Sequence, residues 1–162
     1  MGLIRYLVRR HSKLLNRPFS HERDGIRLDK DAIGKLGEDI AAKYMFANGG
    51  KVLYRNFRAP TGGEIDIVVR EGDILCFVEV KARTSDLYGR PADAVNIDKQ
   101  LLISRGIQYY LQILRYPDIP WRCDIVEVEL RPGEAPAVNW IKSAFQVSGI
   151  RQRMSRRWTK TA

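Results

Sequence analysis

Two short stretches of this 162-residue chain hold the residue types from which a cation site can be built. Gly63-Glu64-Ile65-Asp66-Ile67-Val68 is followed, thirteen residues after Asp66, by Glu79-Val80-Lys81. Both stretches are rich in β-branched residues and Glu71-Gly72-Asp73 between them suits a tight turn, so together they read as a hairpin. Alternation along a strand puts Glu79 and Lys81 on one face and Val78, Val80 and Ala82 on the other. It likewise puts Glu64 and Asp66 opposite Ile65, Ile67 and Val69. Strands meeting around Gly72 oppose residues whose numbers sum to about 144 to 146, which brings Asp66 against Glu79.

Two carboxylates facing each other repel, by about 4 kcal/mol at about 4 Å and an effective dielectric of about 20. A divalent cation relieves this. Mg²⁺, or Mn²⁺ in its place, accepts carboxylate oxygens, keeps several waters and leaves positions open for a phosphate. With Lys81 adding positive charge one strand step from Glu79, the set contains the parts needed to hydrolyse a phosphodiester bond. Asp66 and Glu79 are expected as metal ligands, and Lys81 as the group that orients the water or stabilises the transition state. The bland alternative is a solvated sheet face, and Glu79-Val80-Lys81 alone would favour it. The nearby acidic pair at hairpin distance tips the balance towards chemistry. Both histidines, His11 and His21, lie in the first 30 residues, which gives histidine-based acid–base catalysis little support.

The elements that must position these residues follow from periodicity. From Asp31, Ile33, Leu36, Ile40, Ala41, Tyr44 and Met45 recur at helical spacing until Asn48-Gly49-Gly50. Strands are expected over Lys51 to Arg58, Glu64 to Arg70 and Ile74 to Lys81, as an antiparallel meander. A second helix is expected from about Ala94 or Ile97 to Leu114, stopped by Pro117 and Pro120. A fourth strand over Arg122 to Leu130 and an edge strand over Val138 to Ile141 complete an α/β fold, a mixed central β-sheet flanked by helices. Arg122 and Asp124 share a strand face and suit an internal ion pair.

The formal charge of +9 is concentrated at the ends. Residues 1–30 carry eight Lys/Arg against three Asp/Glu, and residues 151–162 carry five against none, whereas residues 31–150 are nearly neutral. This divides the chain into a basic N-terminal appendage (1–30), one folded domain (31–150) and a basic C-terminal tail (151–162). Basic ends suit a polyanion, nucleic acid foremost. Leu3 to Leu15 could form a basic amphipathic helix, which leaves a membrane-surface role open. Cys76 and Cys123 suggest neither a disulfide framework nor a zinc site, and no apolar run approaches a membrane span, so a cytoplasmic setting is expected.

Gly37-Glu38, Asn56-Phe57-Arg58, Gly63 to Val68, Phe77-Val78-Glu79-Val80-Lys81-Ala82-Arg83, Lys99 and Arg122-Cys123-Asp124 resemble, in order and spacing, the bacterial YraN-like family. That family is assigned to the PD-D/ExK superfamily of endonucleases and is related in fold to archaeal Holliday-junction resolvases. The resemblance covers about residues 31 to 131 and implies a restriction-endonuclease-like fold. It makes Asp66 the metal-binding Asp, Glu79 and Lys81 the E-x-K pair, and Glu38 the helix residue that completes the metal and catalytic set. Ile65 stands where the superfamily motif has Pro, and Cys123 where the family typically has Phe, which reads as a core change. Arg83, Arg90 and Lys99 are candidate phosphate contacts.

The expected function is therefore Mg²⁺- or Mn²⁺-dependent endonuclease action, on DNA more than RNA, with branched or repair intermediates as candidate substrates and a homodimer as a candidate assembly. The alternative is a nucleic-acid-binding module of nuclease fold with little turnover. A membrane-surface adaptor is the weaker third reading.

Overall fold

A computed structural model describes residues 14–23, 25–84, 97–147 and 149–150. The first helix, α1, spans Lys30–Ala47, and its N-terminus is capped by Asp29, whose carboxylate accepts the Ala32 N–H at 2.8 Å. It ends where Gly49 takes a positive φ of 89°. Strands β3 (Lys51–Arg58), β4 (Glu64–Glu71) and β5 (Ile74–Arg83) follow as an antiparallel meander. Helix α2 (Ile97–Ile113) lies between β5 and β6 (Trp121–Glu129), which pair in parallel. That pairing requires a long crossover, which the α2 segment supplies. Strand β7 (Ala137–Phe145) returns antiparallel, so the sheet runs β3-β4-β5-β6-β7. This is the expected mixed α/β sheet with helices on its faces, consistent with a restriction-endonuclease-like fold.

Each face of the sheet has its own core. Ile40, Ala41 and Met45 of α1 pack with Ile67, Val69, Cys76, Val78, Val126 and Val128. Ile103, Ile107 and Leu111 of α2 pack with Phe57, Ile65, Phe77, Trp121, Cys123 and Ile125 on the other. Cys76 and Cys123 are thus buried on opposite faces as free thiols, and burial pushes each up to about 12. Cys123 is a core residue, as its sequence position implied.

Three details depart from the pattern read in the sequence. Ile65 and Ile67, two apart, face different helices, so strict alternation breaks at Asp66. Strand β7 is longer than Val138 to Ile141, because a bulge near Ser143 (φ 53°) interrupts the alternation that marks a strand. Finally, Leu14, Leu15, Phe19 and Leu28, within the stretch read as an appendage, pack on the α1-side core. Phe19 is 5% exposed within the α1-side core, its N–H donates to the Glu134 carbonyl at 2.7 Å, and a small hairpin, β1 (Glu22–Arg23) and β2 (Ile26–Arg27), follows it. Most of the Leu3 to Leu15 segment, Ala94, Arg90 and residues 151–162 lie outside the described residues. Among the described residues, no helix is long and apolar enough to cross a membrane.

Candidate active site

The backbone ladder between β4 and β5 runs from the Glu71–Ile74 pair to the Ile67–Val78 pair and stops. Continued, it would set Val80 opposite Ile65. Instead the Val80 N–H donates to Asp66 Oδ2 at 2.8 Å, so a side chain takes the bond that a strand carbonyl would have accepted. On the other side of β4, Asn56 has a left-handed φ of 51° between the paired residues Arg55–Ile67 and Phe57–Ile65. Asparagine tolerates that conformation better than most residues. The strands are therefore irregular on both sides of Asp66, and its carboxylate is drawn into the opening.

Glu79 is 5% exposed, and its two oxygens have different surroundings. Lys81 Nζ donates to Oε1 at 3.0 Å. Oε2 lies 3.3 Å from Lys99 Nζ, within ion-pair range, yet among the described residues it is a buried side-chain oxygen with no hydrogen-bond donor. Lys99 Nζ donates to Glu64 Oε1 at 2.6 Å. That bond holds the Glu64 carboxyl below its usual range. Burial would lower the Lys99 ammonium, but the Glu64 hydrogen bond and the charges of Glu79 and Asp66 outweigh it and raise Lys99 above its ordinary value.

Asp66 carries the strongest consequence of this crowding. Burial first, and then the charge of Glu79, push its carboxyl up to about 7, with Glu38 adding to the effect and the Val80 N–H and Lys99 opposing it. The two carboxylates that the index sum set against each other are thus close enough to interact, and burial together with that repulsion raises the Asp66 pKa.

Two close approaches at glycines aim the helices at this point. A Cβ on Gly63 would overlap Gly106 of α2, so only two glycines let α2 seat against the start of β4 and bring Lys99 over Glu64 and Glu79. Likewise a Cβ on Gly37 would overlap Ala82 of β5. That contact sets α1 against β5 and leaves the next residue, Glu38, beside Lys81 in a groove also lined by Val80 and Thr84.

The structure thus brings Asp66, Glu79 and Lys81 together, with Glu38 in electrostatic range from α1. Lys99, expected only as a phosphate contact, stands among the carboxylates, and Glu64 is a member that sequence reasoning gave no role. Its placement two residues before Asp66 was the available signal. Arg83 ends β5, where its carbonyl accepts the Leu130 N–H at 2.7 Å. Among the described residues no three His, Cys, Asp or Glu side chains converge as a ready cage. Two carboxylates, one strained in its ionised form and one with a buried undonated oxygen, nevertheless fit an ion such as Mg²⁺ that retains most of its waters.

A second buried carboxylate is built differently. Asp124 is fully buried, and it accepts from Arg122 Nε at 2.8 Å, Trp140 Nε1 at 2.8 Å and the Ser143 N–H at 2.9 Å. The β7 bulge turns that last N–H inward. The ion pair expected of Arg122 and Asp124 is present, and Arg122 also donates to Glu71 at 2.6 Å. With its oxygens occupied, Asp124 is structural.

A mixed sheet whose meander opens at an acidic pair beside an E-x-K lysine has the architecture of the restriction-endonuclease-like class. Residues 37–128 match the uncharacterised protein family UPF0102, and the chain belongs to that YraN-like family. A UPF0102 protein of Syntrophus aciditrophicus is 46% identical over 115 residues, covering 71% of this chain and 89% of its own length. Similar proteins from Clostridium kluyveri (41%, 71% of this chain and 94% of the relative) and Acetivibrio thermocellus (44%, 75% and 96%) share the same name.

Proposed function

We propose that the chain is a divalent-cation-dependent endonuclease that hydrolyses phosphodiester bonds of DNA, with Mg²⁺ or Mn²⁺ as the cation. The observation that carries this reading is geometric: the Asp66 carboxylate enters the opening where the β4–β5 ladder stops, beside the buried Glu79, whose Oε2 has no hydrogen-bond donor among the described residues. Asp66 and Glu79 would hold the ion, with Glu38 completing the set from α1. The bound ion would lower the pKa of a water and offset charge growing on the phosphorane. Lys81, anchored on Glu79 Oε1, orients the attacking water or stabilises that charge. Arg83 and Arg90 are candidate phosphate contacts. The proposed setting is the cytoplasm.

A second reading, a nucleic-acid-binding module with little turnover, is favoured by the two lysines that already offset the Glu79 charge. The test incubates the purified chain with labelled duplex, single-stranded and four-way-junction DNA, and with RNA, in Mg²⁺, Mn²⁺ or EDTA. Metal-dependent cleavage of DNA lost in both Asp66→Asn and Glu79→Gln supports the enzyme. Binding without cleavage of any substrate supports the second reading.

A further inference from the structure

Glu79 is flanked by two lysines that are not equivalent. Lys81, from the same strand, holds Oε1 by a hydrogen bond at 3.0 Å. Lys99, from α2, stands 3.3 Å from Oε2, the oxygen that receives no hydrogen bond among the described residues, and its positive charge also acts on Asp66. Lys99 is mostly buried, so water screens it weakly. An ammonium in this position supplies part of the countercharge that a cation held by Asp66 and Glu79 would supply, and it faces the oxygen that such an ion would use. The 2.6 Å bond to Glu64 gives Lys99 a second anchor, outside the Asp66–Glu79 pair.

We propose that Lys99 is a built-in competitor of the divalent cation, and that Glu64 sets the strength of the competition by holding Lys99 on its own carboxylate. The inference rests on the metal-site reading above. Before cation entry the ammonium is shared between Glu64 and Glu79. On entry it gives up Glu79 Oε2 and stays on Glu64, while Lys81 keeps Oε1. Lys99 is thus a positioning residue that sets cation affinity.

The two partners should act with opposite sign. Removing the lysine in Lys99→Gln deletes the competing charge, and Mn²⁺ should bind about tenfold more tightly. Glu64→Gln loosens the outer anchor, concentrates Lys99 on Glu79, and should weaken Mn²⁺ binding several-fold. If Glu64 acts through Lys99, the double variant should match Lys99→Gln alone, a strong coupling between the two positions. The measurement is the Mn²⁺ dissociation constant by isothermal titration calorimetry of the full chain at low salt without nucleic acid. Denaturation midpoints in EDTA confirm that each variant is folded, and Lys99→Arg, which keeps the charge, covers a variant that fails to fold by retaining near wild-type affinity. Unchanged Mn²⁺ affinity in Lys99→Gln, or a double variant as weak as Glu64→Gln, overturns the proposal and leaves the metal site standing. Absence of Mn²⁺ binding in wild type and in every Lys99 variant overturns the metal site and the proposal together.

Discussion

The Asp66 carboxylate receives the Val80 N–H at 2.8 Å, just beyond the last backbone pair joining β4 to β5. One side chain therefore does two things. It satisfies a strand donor where the sheet opens, and it is held against Glu79 in a place where ionisation is costly. Such tension between a local hydrogen bond that favours the charged form and a neighbour that opposes it marks a candidate functional site.

The tension should appear as pH-dependent stability. The Asp66 carboxyl is at about 7 in the folded chain and at about 3.9 when unfolded, so between these values the folded state binds the extra proton. Its contribution is fully present below about pH 4 and is lost as pH rises through about 7. In EDTA, urea midpoints should fall across that window by an amount worth a few kcal/mol. In Asp66→Asn the fall should be mostly absent, and the variant should be more stable than wild type at pH 8, because asparagine can still accept the Val80 N–H without a charge. Parallel pH profiles for the two proteins would remove Asp66 as the titrating group.

Seating α1 on β5 depends on the absence of one methyl group. Gly37→Ala would place a Cβ inside Ala82, and the cost should be about 1–3 kcal/mol, the usual range for overpacking. Because the obstruction is Ala82 Cβ itself, Ala82→Gly in the same chain should recover most of the loss. Denaturant unfolding of both single variants and the double one measures the coupling. Additive losses would mean that the two residues do not meet as described.

Much of this arrangement could be read from residue order, and the exceptions share a cause. Strand bounds follow from β-branched runs between Gly and Pro turns, and the Asp66–Glu79 pairing follows from a turn at Gly72 and simple counting. What alternation could not supply was the break at Asp66, where Ile65 and Ile67 turn to different helices. That break depends on Asn56 in the neighbouring strand and on a side chain entering the ladder, both tertiary events. The same holds for Lys99 and Glu64, which are 35 residues apart and meet because Gly63 and Gly106 let α2 come close. Arg122 and Asp124 were legible as a pair on one strand face. Their partners Trp140 and Ser143 were not, since a bulge delivers the Ser143 N–H.

Asp124 should matter for folding in a way that Lys142 does not. Asp124→Ala leaves Arg122 Nε, the Trp140 indole N–H and the Ser143 N–H without their acceptor in a buried site, with an expected loss of about 3–5 kcal/mol. Lys142 is half-exposed and pairs with Glu71, so Lys142→Ala should cost no more than about 1 kcal/mol. Urea denaturation checks both. Equal losses would contradict a structural role centred on the buried carboxylate.

If the chain acts on nucleic acid, the charge at its C-terminus gives a separable test. Residues 151–162 carry five Lys/Arg and no acidic residue. Each phosphate neutralised on a duplex contributes a slope of about −0.9 to the logarithm of affinity against the logarithm of salt concentration. Removing 151–162 should reduce the magnitude of that slope by as much as about 4.5, whereas Lys81→Met, which removes one charge already committed to Glu79, should change it by about 1 or less. Fluorescence anisotropy with a labelled duplex in EDTA, over a series of salt concentrations, separates the two without any cleavage. A truncated chain with the wild-type slope would show that the tail makes no phosphate contacts, and would move the binding surface to the body beside Arg83 and Lys99.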